Sequence, residues 1–198
     1  MSKADPAASK KARNKTIRWV VTIFLVTIVI SGAISFISDE VMSRSGIVSA
    51  FLILLAIILV GIIFDIIGMA VATADEKPFH SMAARKVPGA QNAIRLLRNA
   101  ERVSSICNDV VGDICGVVSG SASATIAVLI LQNMEFGWPR MISLLMSAFC
   151  AGLTVGGKAI GKTFAVSSAT KIVYAVGKLI YWLQHIPAFF RSKKKNKR

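Results

Sequence analysis

Four long apolar blocks dominate the hydrophobic pattern of the chain. They cover residues 19–37, 46–74, 103–134 and 141–157. A transmembrane α-helix needs about 17–25 mainly apolar residues to cross a hydrocarbon core about 30 Å thick, and each block reaches this length. The pattern therefore predicts an all-α membrane protein with four transmembrane helices.

Polar segments between the blocks predict how the helices are connected. A short polar turn at 38–45 joins the first two blocks, and a tight loop at 135–140 joins the last two. The longer connection, 75–102, has apolar residues at helical spacing on both sides of Pro88 and Gly89, which interrupt helices. We expect this connection to form a helical hairpin on the cytoplasmic membrane surface.

The residues after the fourth block predict a helix that lies on the membrane rather than across it. Within 171–190, apolar residues recur at helical spacing, but Lys171, Lys178 and His185 interrupt them. Basic groups beside an apolar face are typical of helices at the membrane interface. We therefore expect a juxtamembrane amphipathic helix at 171–190.

The charge of the chain is concentrated near its two ends. The 198 residues include 24 Lys plus Arg and 10 Asp plus Glu, a net charge of +14. Residues 1–18 hold six bases and one acid, and residues 191–198 hold six bases and no acid. Basic residues beside membrane spans mark cytoplasmic ends and attract anionic lipids. We expect a multi-pass plasma-membrane protein with both termini in the cytoplasm and anionic lipids at both basic tails.

Composition and motifs exclude several other classes. A hydrophobic fraction of 54% argues against an ordinary soluble domain. The basic tails lack interleaved aromatic residues, so we expect no nucleic-acid partner. The first block could be a signal peptide, but its length and the missing cleavage site favour a retained helix. No phosphate loop, nucleophile motif or paired-histidine motif occurs, so we expect neither an enzyme nor an organic cofactor.

Small residues recur every four positions on the third and fourth blocks. In lipid, such strips let helix backbones approach closely. The residues assigned to helix packing are Gly112, Gly116 and Gly120 on the third block, and Gly152 and Gly156 on the fourth. Their partner is either another helix of the same chain or a second copy.

Three carboxylates interrupt the apolar blocks, and each is costly within a bilayer unless it meets a partner or water. They are Asp65, Asp109 and Asp113, the last two being four residues apart and so on one helix face. Ser105 and Asn108 add neutral oxygen groups beside them. Because hard cations such as magnesium prefer oxygen ligands, these five residues are candidates for a metal site.

Two lysines offer a different partner for the same carboxylates. Lys158 and Lys162 are also four residues apart, at the end of the fourth block. They are candidate ion-pair or gating residues, and a ladder of Asp–Lys pairs would use up the carboxylates in a purely structural role. The pattern leaves both the cation site and the ion-pair ladder open.

Several motifs occur in an order that resembles a known family. A small-residue run at 68–74 leads to L-R-N-A-E-R at 97–102, then to G-K-A-I-G-K at 157–162 and to S-A-T-K-I-V-Y-A-V-G at 168–177. This order resembles the transmembrane domain of the CNNM/CorB (CorC) family of magnesium and cobalt transport proteins, over roughly residues 46–186. The span at 19–37 is then an addition to the three-span family core.

The resemblance implies a homodimer that holds a largely dehydrated magnesium ion through Ser, Asn and backbone oxygens. Asp65 falls near the family's Ser position, Gly68 stands where the family has Glu, and Asn108, Asp109 and Asp113 are candidates for the Asn-containing stretch. Lys158 replaces a family Glu, which would repel magnesium unless a carboxylate pairs with it. The family's regulatory CBS domains are missing, so we expect any such regulation to come from a separate subunit.

Two functions follow from these observations. In the first, the protein transports a divalent cation, magnesium or cobalt, through a cavity that the carboxylates line. In the second, it is a membrane scaffold or accessory subunit whose carboxylates pair with Lys158 and Lys162.

Overall fold

The computed structural model describes residues 6–133 and 138–195, and this part of the chain is helical, with no strand. The helices are α1 (Pro6–Ser43), α2 (Ile47–Thr73), α3 (Lys77–Ala84), α4 (Ala90–Arg98), α5 (Ala100–Ser105), α6 (Gly112–Asn133), α7 (Pro139–Ser167) and α8 (Ala169–Lys195). A π-helical segment, Ile106–Val111, joins α5 to α6 without a break. The ends of both basic tails and half of the predicted loop at 135–140 lie outside the described residues.

Four of these helical stretches are long and apolar enough to cross a membrane, which confirms the all-α, four-span prediction at that level. They are Ile17–Ser43, Ile47–Thr73, Ala100–Gln132 and Pro139–Ser167. Helix α8 is not among them. Many large apolar side chains on these helices are exposed, as expected for surfaces that face lipid.

Two helices extend beyond the predicted blocks. α1 continues to Ser43, so the first connection is shorter than the predicted turn at 38–45. The stretch 38–45 contains no Gly or Pro that would end the helix. Arg44 also pairs with Glu40 one turn earlier, which favours helix over turn. α7 continues through Lys158 to Ser167, because lysine has a good helix propensity and its long stem can lie along an apolar surface.

An apolar cluster holds the long helices together at the end where α1 meets α2. α2 packs against both α6 and α7, and α1 packs mainly against α6. The buried members of the cluster are Met42, Ala50, Leu54, Ile58, Ala122, Ile126, Ala127, Met146 and Cys150. The Thr125 hydroxyl donates a hydrogen bond to Asp39 Oδ1 over 3.1 Å, which gives the polar end of α1 a partner on α6.

A second apolar cluster lies at the opposite end, where α3, α4 and α8 pack around the end of α2. Its centre is the fully buried Phe79, with Val71 and Val173 beside it. α4 and α8 touch through their backbones: a Cβ added to Gly89 would lie 2.6 Å from the Lys178 backbone nitrogen. Gly89 also has a φ of +87°, so glycine is required at this turn on both counts.

Candidate functional site

The Asp65 carboxylate is buried between helices near the second cluster. Its residue is only 4% exposed, and it lies on the face of α2 that also carries Gly61 and Gly68. These two glycines are what allow close packing: a Cβ on Gly61 would lie 2.8 Å from Cys115 Cβ, and one on Gly68 would lie 2.9 Å from Cys107 Cβ. The π-helical segment and α6 therefore cross α2 at Asp65.

Asn108 is the polar residue of the π-helical segment that faces α2. A Cβ on Gly68 would lie 2.8 Å from Asn108 Cγ, so the carboxamide rests against the α2 backbone. Its Nδ2 donates to Ser104 Oγ over 3.2 Å. Its Oδ1 is buried and has no hydrogen-bond partner among the described residues. π-helical turns are rare and are often found at functional sites.

Lys158 brings a positive charge to the same place from α7. Its Nζ donates to the Gly112 carbonyl over 3.5 Å. A Cβ on Gly112 would lie 3.4 Å from Lys158 Nζ and 3.9 Å from Asp65 Oδ1, so the ammonium and the carboxylate border the same small space. That space exists because residue 112 has no side chain.

Asp65 is nevertheless without an ion pair. Across residues 17–132 and 138–185, whose side chains the structure describes, the ion pairs within 4.0 Å are Arg44–Glu40, His80–Glu76 and Arg98–Glu76. Asp65 Oδ2 is buried and accepts no hydrogen bond from any described residue. A buried carboxylate without a direct partner is expensive inside a bilayer, costing about 2.5–3.5 kcal/mol or more. The cluster thus has one unsatisfied carboxylate, one unsatisfied amide oxygen and one nearby ammonium.

The other predicted polar residues do not join this cluster. Asp109, Asp113 and Lys162 are exposed on the outer surfaces of the helices, and Ser105 is half-buried. Among the described residues, no group of three or more His, Cys, Asp or Glu is placed to hold a metal ion. The structure therefore brings Asp65 and Lys158 together at Gly112 and places Asn108 against Gly68, one helical turn along α2 from Asp65, whereas Asp109, Asp113 and Lys162 lie elsewhere.

Of the five glycines assigned to helix packing, Gly112 lies at the cluster itself. A Cβ on any of the others would meet no atom of the described residues within 4 Å; these are Gly116, Gly120, Gly152 and Gly156. On α7, the glycines that face α2 are Gly157 and Gly161, which pack against Ile62 and Ile66. Packing of the remaining four against a second copy stays a prediction.

Two components of the site were not evident from the sequence pattern. The π-helical turn has no signature in residue type, since Ile106–Val111 reads as ordinary apolar helix. Gly61 was also overlooked, although its spacing of seven residues from Gly68 would place both glycines on one face of α2. A search for glycines flanking an intramembrane carboxylate could have found it.

Comparison of the chain with protein-family models, with curated proteins and with solved structures finds no match. The resemblance to the CNNM/CorB family therefore rests on the ordered motifs alone.

Proposed function

We propose that this protein transports a divalent cation across the membrane, with magnesium as the first candidate and cobalt as the second. The observation that carries the proposal is the pair of buried oxygens, Asp65 Oδ2 and Asn108 Oδ1, which lack hydrogen-bond partners among the described residues. Buried polar groups are almost always satisfied, so an exception calls for a partner from outside the chain, such as water or an ion.

The donor set suits a hard cation. A carboxylate and an amide oxygen are ligands of the type that magnesium prefers, and magnesium usually keeps several of its waters. The ion is cargo, so two protein oxygens with water and backbone carbonyls are a reasonable resting place during passage. Lys158 then acts as a gating residue: its ammonium compensates the Asp65 charge when the ion has left, and is repelled when the ion enters.

A thermal-stability measurement on the purified full chain tests the site. We expect magnesium at millimolar concentration to raise the unfolding temperature, and Asp65→Asn to abolish this rise. Asp113→Asn is the matched control, because it makes the same chemical change at an exposed carboxylate. Should Asp113→Asn and Asp109→Asn abolish the rise while Asp65→Asn does not, the ligand set that includes those two residues is the correct one. No rise in the original protein would refute cation binding.

The second candidate function is a scaffold or accessory subunit, and the position of the Lys158 ammonium beside Asp65 favours it. Lys158→Met separates the two functions. For a transporter, we expect magnesium to bind Lys158→Met as well as or better than the original, because a competing charge is gone. For a scaffold, the stability that Lys158→Met loses should be restored by a second change, Asp65→Asn, and not by magnesium, because no cation replaces the lost ammonium beside Asp65.

We also propose an oligomeric state, a membrane and partners for this protein. The protein acts as a homodimer in the plasma membrane, with both termini cytoplasmic, anionic lipids at the basic tails and regulation by a separate subunit; it is not an enzyme. A Cβ at four positions on α6 and α7 would meet no described atom within 4 Å, and these open faces support self-association; the positions are Gly116, Gly120, Gly152 and Gly156. The four spans support the placement of α1's start and of α8 on one side of the membrane.

A further inference from the structure

A basic cavity lies where the turn between α3 and α4 meets α8. Its volume is about 370 Å³, within the range of about 300–1,000 Å³ found for small-molecule sites. It is separate from the Asp65 cluster and has walls from different elements.

The side chains around the cavity are basic or neutral. Lys86, Arg95 and His185 line it, and none of the described lining residues is acidic. Glu76, the acid immediately before α3, has its carboxylate within 3.3 Å of both His80 Nε2 and Arg98 Nε. The cavity therefore favours an anion.

Tyr181 fixes the orientation of the His185 ring at the wall of the cavity. Its Nδ1 lies 2.8 Å from the Tyr181 carbonyl, which can only accept, so Nδ1 carries a hydrogen. The imidazole ring also lies against the Tyr181 ring, with centroids 4.0 Å apart. Nε2 has no partner among the described residues, and it can donate a charge-assisted hydrogen bond when the ring is protonated.

The wall between α4 and α8 is held firmly. A Cβ on Gly177 would lie 2.7 Å from the Gly89 carbonyl oxygen, so the two backbones are in direct contact. Asn92, which is 7% exposed, donates from Nδ2 to Gln184 Oε1 over 3.3 Å and approaches the Gly177 carbonyl at 3.5 Å. Arg95 on α4 and His185 on α8 are therefore kept on opposite walls of one cavity.

The surroundings of the cavity point to lipid as the source of the anion. α8 exposes Leu179, Trp182 and Leu183 in the same stretch as Tyr181 and His185. Exposed tryptophan beside leucine is typical of a helix in the interfacial layer, and basic pockets there bind phospholipid head groups. We propose that this cavity binds the phosphate group of an anionic phospholipid, a chemistry that it shares with small phosphate esters.

The test uses the purified full chain in a zwitterionic detergent and follows its unfolding temperature. The probe is a short-chain phosphatidylglycerol, with a phosphatidylcholine of the same chain length as the neutral reference. We expect saturable stabilisation by phosphatidylglycerol only. Arg95→Gln and Lys86→Gln should each raise the half-saturating concentration about tenfold, as expected for loss of one charge-assisted hydrogen bond.

Arg85→Gln is the matched control. It removes the same charge from the neighbouring turn, but Arg85 does not line the cavity, so we expect less than about a twofold change. Equal weakening by Arg85→Gln and Arg95→Gln would show general surface attraction and overturn the proposal, as would absence of saturation.

Glycerol phosphate and inorganic phosphate identify the source: failure of both to stabilise supports a lipid head group, and saturable stabilisation by either supports a phosphate site open to soluble esters. Magnesium-dependent stabilisation, measured separately, reports on Asp65 and is expected to survive Arg95→Gln.

Discussion

At the scale of single residues, the absence of side chains matters as much as the chemistry of those present. Gly68 lets the Asn108 carboxamide lie on the backbone of α2, and Gly112 leaves the space that Asp65 and Lys158 border. Asn108 Oδ1, which lies against Gly68, and Asp65 Oδ2 have no hydrogen-bond partner among the described residues. Two glycines therefore determine where the unsatisfied oxygens lie.

Gly68→Ala tests this arrangement. The added methyl group would collide with Asn108 and lie 2.9 Å from Cys107 Cβ, which cannot rotate away. We expect a loss of about 1–3 kcal/mol in the free energy of unfolding, typical of overpacking, together with loss of magnesium-dependent stabilisation. The measurement is thermal unfolding with and without magnesium.

Gly32→Ala provides the control, since a Cβ there would meet nothing within 4 Å. It should stabilise α1 by about 0.5–1 kcal/mol, the usual gain from alanine in a helix. If Gly68→Ala behaves like Gly32→Ala, the close approach of Asn108 to α2 is wrong.

At the scale of helices, the hydrophobic pattern predicted where the helices lie better than it predicted which helices pack against each other. The apolar runs locate the four spans because only a long apolar helix satisfies its backbone in lipid. The four-residue repeat on α7 could not show which of two adjacent strips meets α2. Gly157 and Gly161 do so, whereas Gly152 and Gly156 face outwards. Which strip of α7 meets α2 depends on side chains of α2, chiefly Ile62 and Ile66. The residue pattern within α7 carries no information about them.

The contact between α4 and α8 can be broken by one methyl group. In Gly177→Ala, the new Cβ would lie 2.7 Å from the Gly89 carbonyl oxygen and 2.9 Å from the Ala93 nitrogen, both backbone atoms that cannot turn aside. We expect α8 to separate from α4 while the four spans stay folded. Hydrogen exchange should increase in α4 and not in α2, and phosphatidylglycerol stabilisation should be lost. Unchanged exchange in α4 would contradict the direct backbone contact.

At the scale of the whole molecule, the described chain leaves polar groups and small residues on the exposed surfaces of helices that are long and apolar enough to cross a membrane. Asp109, Asp113 and Lys162 are exposed on helices that cross the membrane, where charged groups need partners. Gly120 and Gly156 lie on exposed faces with open space in front of them. A second copy of the chain would cover such faces. The hydropathy of the spans could be predicted from one sequence, but the way in which the spans assemble could not.

Self-association can be measured with leucine substitutions on these faces. We expect Gly120→Leu and Gly156→Leu to convert the dimer to a monomer in light scattering, because a large side chain prevents close helix approach. Gly32→Leu is the control, since position 32 is also open but lies on α1. A dimer that persists in Gly120→Leu and Gly156→Leu, or a monomeric original protein, would contradict this assembly.

One residue, Ser168, separates the two longest helices of the C-terminal half. Backbone hydrogen bonds continue on both sides of it, from Ser168 to Phe164 and from Ile172 to Ser168, each close to 3 Å. Lys158 stands on one arm of this elbow and His185 on the other. Because the backbone of the second arm is fixed against α4 at Gly177, we expect that contact to resist any tilt of the first arm away from α2.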